Sequence, residues 1–395
     1  MTAHGTVGQP QRAFKSPGAA NWRSLDASGK DGDQNKQDEA RSSLEELKNA
    51  LLASLQMQHL VVLAGSGCSL SAGGPSMADL WKYAVGEPPT KAAREVAERV
   101  KQDLEDTNIE AFLSRIEAFL QVDEDAGVRG FLNASRRVIL EKCSGFAEAR
   151  HLRAHETCLH RLSRRRVRDP RLKVFTTNYD LCFEHAAADL GGVALDGFSF
   201  AAPRRYDPRF FGYDIVRRPQ GGDDLGHYLE GVFLLYKLHG SVNWARAEGG
   251  AVVEKERPEP EEACLIYPAR AKYQQSFTQP HLESMAQYLA AVREPNTCML
   301  VLGFGFNDDH LAEPLLSAAR SNPHLRLIIV DPEAQTKCET GNEYWVQLES
   351  LSDLGEDIWF VAASFEDFAE MTPDLKSLAP ADVLMRAIQG VSREQ

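Results

Sequence analysis

VVLAGSGCSLSAGG (Val61–Gly74) is the stretch of sequence that decides the fold of this chain. Its apolar run contains the β-branched pair Val61 and Val62 and predicts a buried strand, which glycines and serines follow directly. Glycine lets a backbone approach phosphate closely, and a helix starting there offers free N–H groups. The third glycine of a dinucleotide motif is replaced by Leu70, and no P-loop G-K-[ST] follows. The pattern therefore indicates either a phosphate-binding loop or a structural turn.

Three further strings place polar residues after apolar runs, namely VFTTNYD (Val174–Asp180), YKLHGSVNW (Tyr236–Trp244) and MLVLGFGFNDDHL (Met299–Leu311). Ligands of open α/β sheets bind outside the carboxyl ends of the strands, so all four loops should border one crevice. The sequence thus predicts an α/β fold with a Rossmann-like parallel sheet and a nucleotide site at its carboxyl edge.

Candidate site residues follow the predicted strands. Asn178 can hydrogen-bond ribose hydroxyls, a carboxamide or an attacking water, whereas Asp180 is equally suited to cap the next helix. His239 follows a buried strand beside a glycine and can act as a general base, although a lone histidine is often structural. Asp331 has the placement of an acid that binds a ribose diol, or of a residue that turns the chain before Pro332.

Two other clusters carry weaker indications. Asp308, Asp309 and His310 suggest metal ligands, but a helix N-cap with acids in its first turn explains them better. The basic run Arg161–Lys173 could contact nucleic acid, but a solvated helix end and loop is the simpler interpretation.

Composition narrows the class of protein. The 395 residues are 43% hydrophobic and 26% charged, as in ordinary globular proteins. A net charge of −13 disfavours broad nucleic-acid binding. Nucleic acid would then be bound only through a local basic patch or through a partner protein. No apolar stretch is long enough to span a membrane, and the N-terminus lacks a signal core. The seven cysteines form no CxxC pair, so we expect a cytoplasmic protein with reduced thiols and no zinc ribbon.

The chain is predicted to comprise a tail and one domain. Residues 1–40 are rich in Gly, Ser, Asp, Gln and Lys, which predicts a flexible tail or a partner-docking arm. Ser43 and Glu46 have capping-box spacing, so the first helix should begin near Ser43 within a domain of residues 41–395. Residues 78–166 predict an inserted helical layer, and residues 191–231 predict an irregular lobe. The other predicted strands are Leu172–Thr176, Val232–Leu238, Cys298–Gly303, Leu325–Asp331 and Asp357–Ala362.

Taken in order, the strings GSGCS, TTNYD, LHG and GFGFND, followed by a strand ending in Asp, resemble the sirtuin superfamily. They are more closely similar to the sirtuin-like NAD hydrolases of prokaryotic antiviral defence. The resemblance implies a sirtuin-like domain that takes NAD as its substrate and requires no metal. Deacylases of the superfamily carry a four-cysteine zinc module and an arginine soon after the glycine loop. This chain has neither the cysteine set nor that arginine, since Ser76–Asp79 stands there.

The resemblance also implies roles for individual residues. Asn178 would lie near the nicotinamide ribose and the nucleophile, Asp180 would contact the carboxamide, and His239 would be the general base. The other residues assigned to NAD binding are Gly65, Ser66, Gly67 and Ser69 at the diphosphate, Gly303 and Asp331 at the adenosine half, and Thr177 in the same crevice.

The activity implied is hydrolysis of NAD to nicotinamide and ADP-ribose, which would deplete NAD during phage infection. A zinc-free protein deacylase or ADP-ribosyltransferase is one alternative, and a nucleotide-sensing module that regulates a partner ATPase is another. Because an unrestrained NAD hydrolase would be lethal, we expect a homo-oligomer, with the helical layer as interface. A partner such as a hexameric HerA-type ATPase could also provide control.

Overall fold

The computed structural model describes residues 11–26, 34–147, 152–166, 169–218, 227–268 and 278–374. The strands are β1 (Ala13–Lys15), β2 (Arg23–Ser24), β3 (His59–Ala64), β4 (Leu172–Thr176), β5 (Val193–Leu195), β6 (Val216–Arg217), β7 (His227–Tyr228), β8 (Val232–Lys237), β9 (Gly240–Arg246), β10 (Val252–Glu254), β11 (Ala263–Leu265), β12 (Thr297–Leu302), β13 (Leu325–Val330) and β14 (Ile358–Ala362).

The helices are α1 (Gln34–Leu55), α2 (Gly67–Leu70), α3 (Met77–Ala84), α4 (Lys91–Val100), α5 (Ile109–Leu120), α6 (Ala126–Ser144), α7 (Arg153–Leu162), α8 (Cys182–Asp189), α9 (His281–Arg293), α10 (Asp309–Ser321), α11 (Ala334–Thr340), α12 (Glu343–Asp353) and α13 (Phe365–Met371). No helix among these described segments is long and apolar enough to cross a membrane.

The main sheet has the strand order β2-β1-β14-β13-β12-β3-β4-β8-β5. All pairings from β14 to β5 are parallel, which confirms the predicted parallel sheet, and β1 and β2 add antiparallel strands at one edge. From β3 the chain runs to β4 and β8 on one side and later to β12, β13 and β14 on the other. Such a reversal of strand order opens a crevice at the carboxyl edge.

The register aligns the carboxyl ends of the central strands. Ala64 pairs with both Leu302 and Thr176, and Thr176 pairs with Lys237. The residues that follow these four therefore lie side by side at one edge of the sheet: Gly65, Gly303, Thr177 and Leu238.

Helices cover both faces of the sheet. Because side chains alternate along a strand, the neighbours Val62 and Leu63 belong to different hydrophobic clusters. The cluster of Val62 is completed by α1, α7, α8 and α13, and the cluster of Leu63 by α9, α10, α11 and α12. This three-layer arrangement holds the strand ends, and hence the loops after them, in fixed positions.

A separate helical layer lies between β3 and β4, where the sequence predicts one. Helices α3 to α6 form their own core around residues such as Trp81, Phe112 and Ile139, whereas α7 returns to pack on the sheet. This layer also packs against a small antiparallel sheet of order β10-β9-β11, through Val242 and Leu265. The sequence analysis did not predict this sheet, whose connection at 254–262 is charged and contains prolines.

The prediction of a flexible tail for residues 1–40 is wrong in the part that the structure describes. β1 pairs with β14, and Phe14 is buried and stacks on Trp359, with the ring centroids 6.2 Å apart. Helix α1 begins at Gln34, so Ser43 is buried inside it and does not cap it. Isolated apolar residues in a polar segment are buried by tertiary contacts that local composition does not reveal. Residues 1–10 and 27–33 lie outside the described part.

The predicted lobe at 191–231 is only partly irregular. Its first strand, β5, joins the main sheet beside β8, and β6 and β7 form a short hairpin. Residues 219–226 of this lobe lie outside the described part.

The basic run is used by the fold, so its interpretation as a solvated helix end is wrong for two arginines. Arg161 donates to the carbonyls of Ala369 and Glu370 at the end of α13. Arg165 is buried and donates to carbonyls at the end of α1, including that of Leu55 at 2.6 Å. Cations are well placed at helix C-termini, where carbonyls lack partners.

Candidate functional site

The four predicted loops meet at the carboxyl edge of the sheet. A cavity of about 150 Å³, here called the inner cavity, is lined by residues of all four loops. A wider cavity of about 980 Å³, here called the outer cavity, adjoins it between the starts of α5 and α10. The two share the lining residues Met77, Glu110, Asn307 and Asp308. The predicted site residues that line the inner cavity are Ser66, Ser69, Thr177, Asn178, Asp180 and His239.

The glycines after β3 and β12 bring two backbones into contact. A Cβ atom on Gly65 would lie 2.5 Å from the carbonyl oxygen of Gly303, which itself has φ +56°. The N–H of Gly67 donates to that same oxygen at 3.0 Å, and those of Cys68 and Ser69 donate within the loop. Because Gly65, Gly67 and Gly303 serve this contact and do not line the inner cavity, their proposed binding to NAD stays a prediction.

A hydrogen-bonded chain fixes Asn178. Its Nδ2 donates to the carbonyl of Gly65 and to the Oγ of Ser69, both at 2.8 Å. Ser69 Oγ in turn donates to Asp180 Oδ2 at 2.6 Å, and Asp180 Oδ1 accepts the N–H of Cys182, the first residue of α8. Asp180 therefore accepts the first N–H of α8 from the position before the N-cap, Leu181. The Ser69 hydroxyl hydrogen is donated to Asp180, so Ser69 links the loop after β3 to the loop after β4. Its contact with a diphosphate stays a prediction.

Lys237, which the sequence analysis missed, binds the loop after β4. It is buried at the end of β8, and its Nζ donates to the backbone carbonyls of Tyr179 and Asp180 and to Glu184 Oε1 at 2.9 Å. Burial raises the pKa of the Glu184 carboxyl, and the neighbouring ammonium opposes that rise. The role of Lys237 could not be predicted from the local sequence, because the carbonyl groups that it binds come from another part of the chain.

His239 lies in the wall of the inner cavity and is only 3% exposed. Its Nε2 is 3.3 Å from the Nε2 of His310, at the first turn of α10, a pairing that the sequence analysis missed. The next residue, Gly240, has φ +84°, and a Cβ atom there would lie 2.1 Å from the carbonyl oxygen of Cys264. Glycine at position 240 is therefore required by the small sheet that continues from β8.

The cavity wall also has neutral groups. Burial raises the pKa of the Cys143 thiol to about 12, so this thiol is protonated near neutral pH and is not a ready nucleophile. Burial likewise raises the pKa of the Tyr179 phenol well above its usual value, and that hydroxyl donates to the carbonyl of Ile266. The acidic side chains at the inner cavity are Glu110, Asp180 and Asp308.

The remaining predicted residues serve turns and helix starts. Asp331 follows β13 in the same row, but its carboxylate accepts the N–H of Glu333 and pairs with Lys337 at 2.7 Å, so the turn interpretation describes it. Asp308 occupies the N-cap of α10 and lines both cavities. Ser76 forms a capping box with Asp79 at the start of α3. Within the described ranges, no three His, Cys, Asp or Glu side chains are placed to hold a metal ion.

The fold and the cleft define an α/β protein with a ligand site at the switch point of a parallel sheet. Residues 172–350 match a family model described as a SIR2-like domain. This range contains Asn178, Asp180 and His239, whereas the glycine loop after β3 precedes it. Residues 172–350 therefore carry a SIR2-like domain, which supports an NAD-related enzyme activity.

Solved structures with a similar arrangement include a Sir2 homologue in complex with NAD, at 13% identity over 82% of this chain and 91% of that one, with a TM-score of 0.45. Another is a Sir2 homologue mutant in complex with ADP ribose, at 13% identity over 84% and 98%, with a TM-score of 0.44. A third is Sir2 bound to acetylated peptide, at 12% identity over 84% and 99%, with a TM-score of 0.41. No curated protein matches the chain.

Proposed function

We propose that the protein is an NAD glycohydrolase that cleaves the bond between nicotinamide and ribose. The observation that carries the proposal is the orientation of Asn178 at the inner cavity, which His239 also lines. Both hydrogens of its amide nitrogen are committed to Gly65 and Ser69, which leaves the amide oxygen Oδ1 as an acceptor at the inner cavity. An acceptor of this kind can orient a water molecule or a ribose hydroxyl, and His239 can take up a proton from it.

The chemistry suits such a site. The C–N bond breaks with its electron pair going to the pyridinium, so nicotinamide leaves as a neutral molecule and needs no general acid. The ribose passes through an oxocarbenium-like state, as in glycoside hydrolysis. A water oxygen then forms the new bond to C1′ of the ribose, and the proton that it loses goes to His239. Positioning and one base supply what the reaction needs.

The test is direct measurement of turnover. Purified full-length protein is incubated with NAD, and nicotinamide and ADP-ribose are quantified by chromatography. We expect equimolar amounts of the two products. The same incubation is repeated with an acetylated peptide, because product formation that depends on the peptide would favour a deacylase or transferase. NAD that remains intact over hours in both incubations would contradict the proposal and favour a nucleotide-sensing module.

We further propose, on the resemblance to defence proteins, that this activity depletes NAD in the cytoplasm during phage infection. Cells that express the protein should resist phages to which cells expressing the Asn178→Ala variant are sensitive. NAD levels measured after infection should fall only with the unchanged protein. Equal plaque counts in the two strains over a broad phage panel would argue against the defence role.

We also propose that assembly restrains the enzyme. The helical layer of α3 to α6 exposes Met77, Tyr83 and Val122, and it is large enough to provide the ~800 Å² per partner of a stable interface. A self-complementary patch would give a closed, symmetric homo-oligomer. Light scattering at micromolar concentration tests this, and a monomer with full turnover would refute it. Control by a HerA-type ATPase is a separate proposal, tested by co-purification.

A further inference from the structure

A pair of histidines connects the inner and outer cavities. His239 lines the inner cavity only, and His310 lines the outer cavity only. Their Nε2 atoms are 3.3 Å apart, and their rings are tilted by 34° with centroids 5.4 Å apart. A contact between two Nε2 atoms at this distance requires that one ring donates N–H and the other accepts. The pair therefore forms a route for a proton between the two cavities.

We propose that His310 passes on the proton that His239 takes up during the reaction, an inference that rests on the proposed NAD hydrolysis. In the resting pair, His239 Nε2–H donates to the lone pair of His310 Nε2, which leaves His239 Nδ1 as the base. A proton moves from water or a ribose hydroxyl to Nδ1, so an O–H bond breaks and an N–H bond forms. The Nε2 proton then moves to His310, whose ring becomes an imidazolium and releases its Nδ1 proton to water.

The burial of the two rings makes this route useful. His239 is 3% exposed, so a proton taken up there has little direct access to solvent. His310 is only half-buried and borders the outer cavity, which is several times larger than the inner one. Relay through His310 leaves both rings neutral with their tautomers exchanged. After product release, His239 Nδ1 gives its proton to water in the open inner cavity, while His310 Nδ1 takes a proton from water and its Nε2 proton returns to His239 Nε2, which restores the resting pair. His310 thus acts through His239, as a positioning residue for the base and a carrier for its proton.

Charges around the outer cavity favour a transient imidazolium on His310. Its lining contains the carboxylates of Asp106, Glu110, Asp308 and Asp309. An opposite charge nearby favours the charged form of histidine. The start of α10 opposes this, because a helix N-terminus disfavours a cation by about 0.3–1 kcal/mol. The four carboxylates of the described cavity lining act in the opposite direction to the helix end.

The test compares His310→Ala with His310→Gln in NAD turnover. Glutamine can hydrogen-bond to His239 but cannot carry the proton, so both variants should lose roughly 10-fold or more in kcat, less than the loss of the base itself. KM for NAD should change less than about twofold, because His310 does not line the inner cavity. Added imidazole should raise kcat of His310→Ala several-fold, since the outer cavity admits it, and should leave the unchanged protein unaffected.

A control and a second readout keep the outcomes separate. His324→Ala removes an exposed histidine after α10, and neither its turnover nor its response to imidazole should differ from those of the unchanged protein. Full turnover by His310→Gln, or no response of His310→Ala to imidazole, would overturn the relay. If the unchanged protein releases no nicotinamide, the proposed function fails. The hydrogen bond between His239 and His310 is then tested by ¹⁵N NMR of the histidine rings without NAD. If the ring ¹⁵N signals of His239 do not shift in His310→Ala, the proposed hydrogen bond, and with it the relay, is overturned.

Discussion

The loops after β3 and β12 and the loops after β4 and β8 build the same cleft in different ways. The first two meet backbone to backbone, with Gly65 and Gly67 against Gly303. The second two meet through side chains, with Lys237 reaching from the end of β8 to the carbonyls of the loop after β4. One half of the cleft is therefore fixed by the absence of side chains, and the other half by a network of them.

Substitutions in the two halves of the cleft should therefore differ in whether they mainly affect folding stability or turnover. A change at Gly65, Gly67 or Gly303 should alter folding first, because an added Cβ atom at each of these positions meets backbone. A change in the side-chain half should affect folding mainly where a buried charge or a buried hydrogen bond is lost, and should otherwise affect turnover. The predictions below test this division, from the largest expected effect to the smallest.

Lys237→Met should cost about 3–5 kcal/mol in the free energy of unfolding, because it leaves backbone carbonyls and Glu184 without their cation. Urea titration measures this loss. The matched control is Lys255→Met, which breaks an exposed pair with Glu262 and should cost less than about 1 kcal/mol. The double variant Lys237→Met with Glu184→Leu should recover part of the loss. A loss at Lys237 no larger than at Lys255 would remove the proposed role of Lys237.

Asn178→Ala and His239→Ala should each lower NAD turnover by at least ~100-fold, the lower end of a general acid–base contribution. Both variants should stay folded, since neither side chain belongs to a hydrophobic cluster of the described residues, although Asn178→Ala loses two buried hydrogen bonds and should unfold at a lower urea concentration. Nicotinamide release measures the first quantity and circular dichroism the second. Ordinary turnover in either folded variant would exclude that residue from the mechanism.

Gly65→Ala should cost about 3 kcal/mol, because its Cβ atom would lie 2.5 Å from a backbone oxygen and force the two loops apart. Gly305→Ala, in the loop after β12, is the control. Its Cβ atom would meet only the amide of Asn307 at 3.0 Å, which can rotate away. Equal unfolding free energies for the two variants would show that the backbone contact is unimportant.

His155→Phe should make the protein less sensitive to acid. His155 is buried between Phe183 and Phe365, with neither ring nitrogen hydrogen-bonded, and burial lowers its pKa to about 4. The unfolded chain binds a proton near pH 6.5, so stability is fully present above that pH and is lost as pH falls toward 4.

The loss from this one group is about 2 kcal/mol at pH 5. Urea titrations at pH 7.5 and pH 5 measure it, and the phenylalanine variant should lose that much less than the unchanged protein between the two. His324→Phe, at an exposed position, should lose as much as the unchanged protein. Equal losses in all three proteins would show that His155 is protonated in the folded state.

The parallel sheet could be predicted because each strand is a short apolar run that ends in polar residues. β4 (Leu172–Thr176) is predicted with the bounds that it has. The alignment of the four loops then follows from the rule for strand ends, and so does the meeting of Asn178 and His239 at one cavity. These are local patterns combined with one general property of sheets.

What could not be predicted depends on contacts between distant segments. Lys237 ends a strand and binds carbonyls about 57 residues away, and His310 follows two acids that suggest only a helix start. β1 has three residues, and its strand partner is more than 300 positions later. In each case the residue type is compatible with an exposed position, and only the folded chain supplies the partner.

The short strand β1 has a practical consequence for studies of assembly. It covers the outer edge of β14 with the pairings Ala13 to Ala362 and Phe14 to Val361. A protein shortened to begin at Gln34 would leave those backbone groups open, and a second chain could add its own strand there. Such edge-to-edge association would produce an oligomer that results from the truncation and does not reflect the assembly of the full-length protein. Measurements of size on this protein are therefore informative only when its first 26 residues are present.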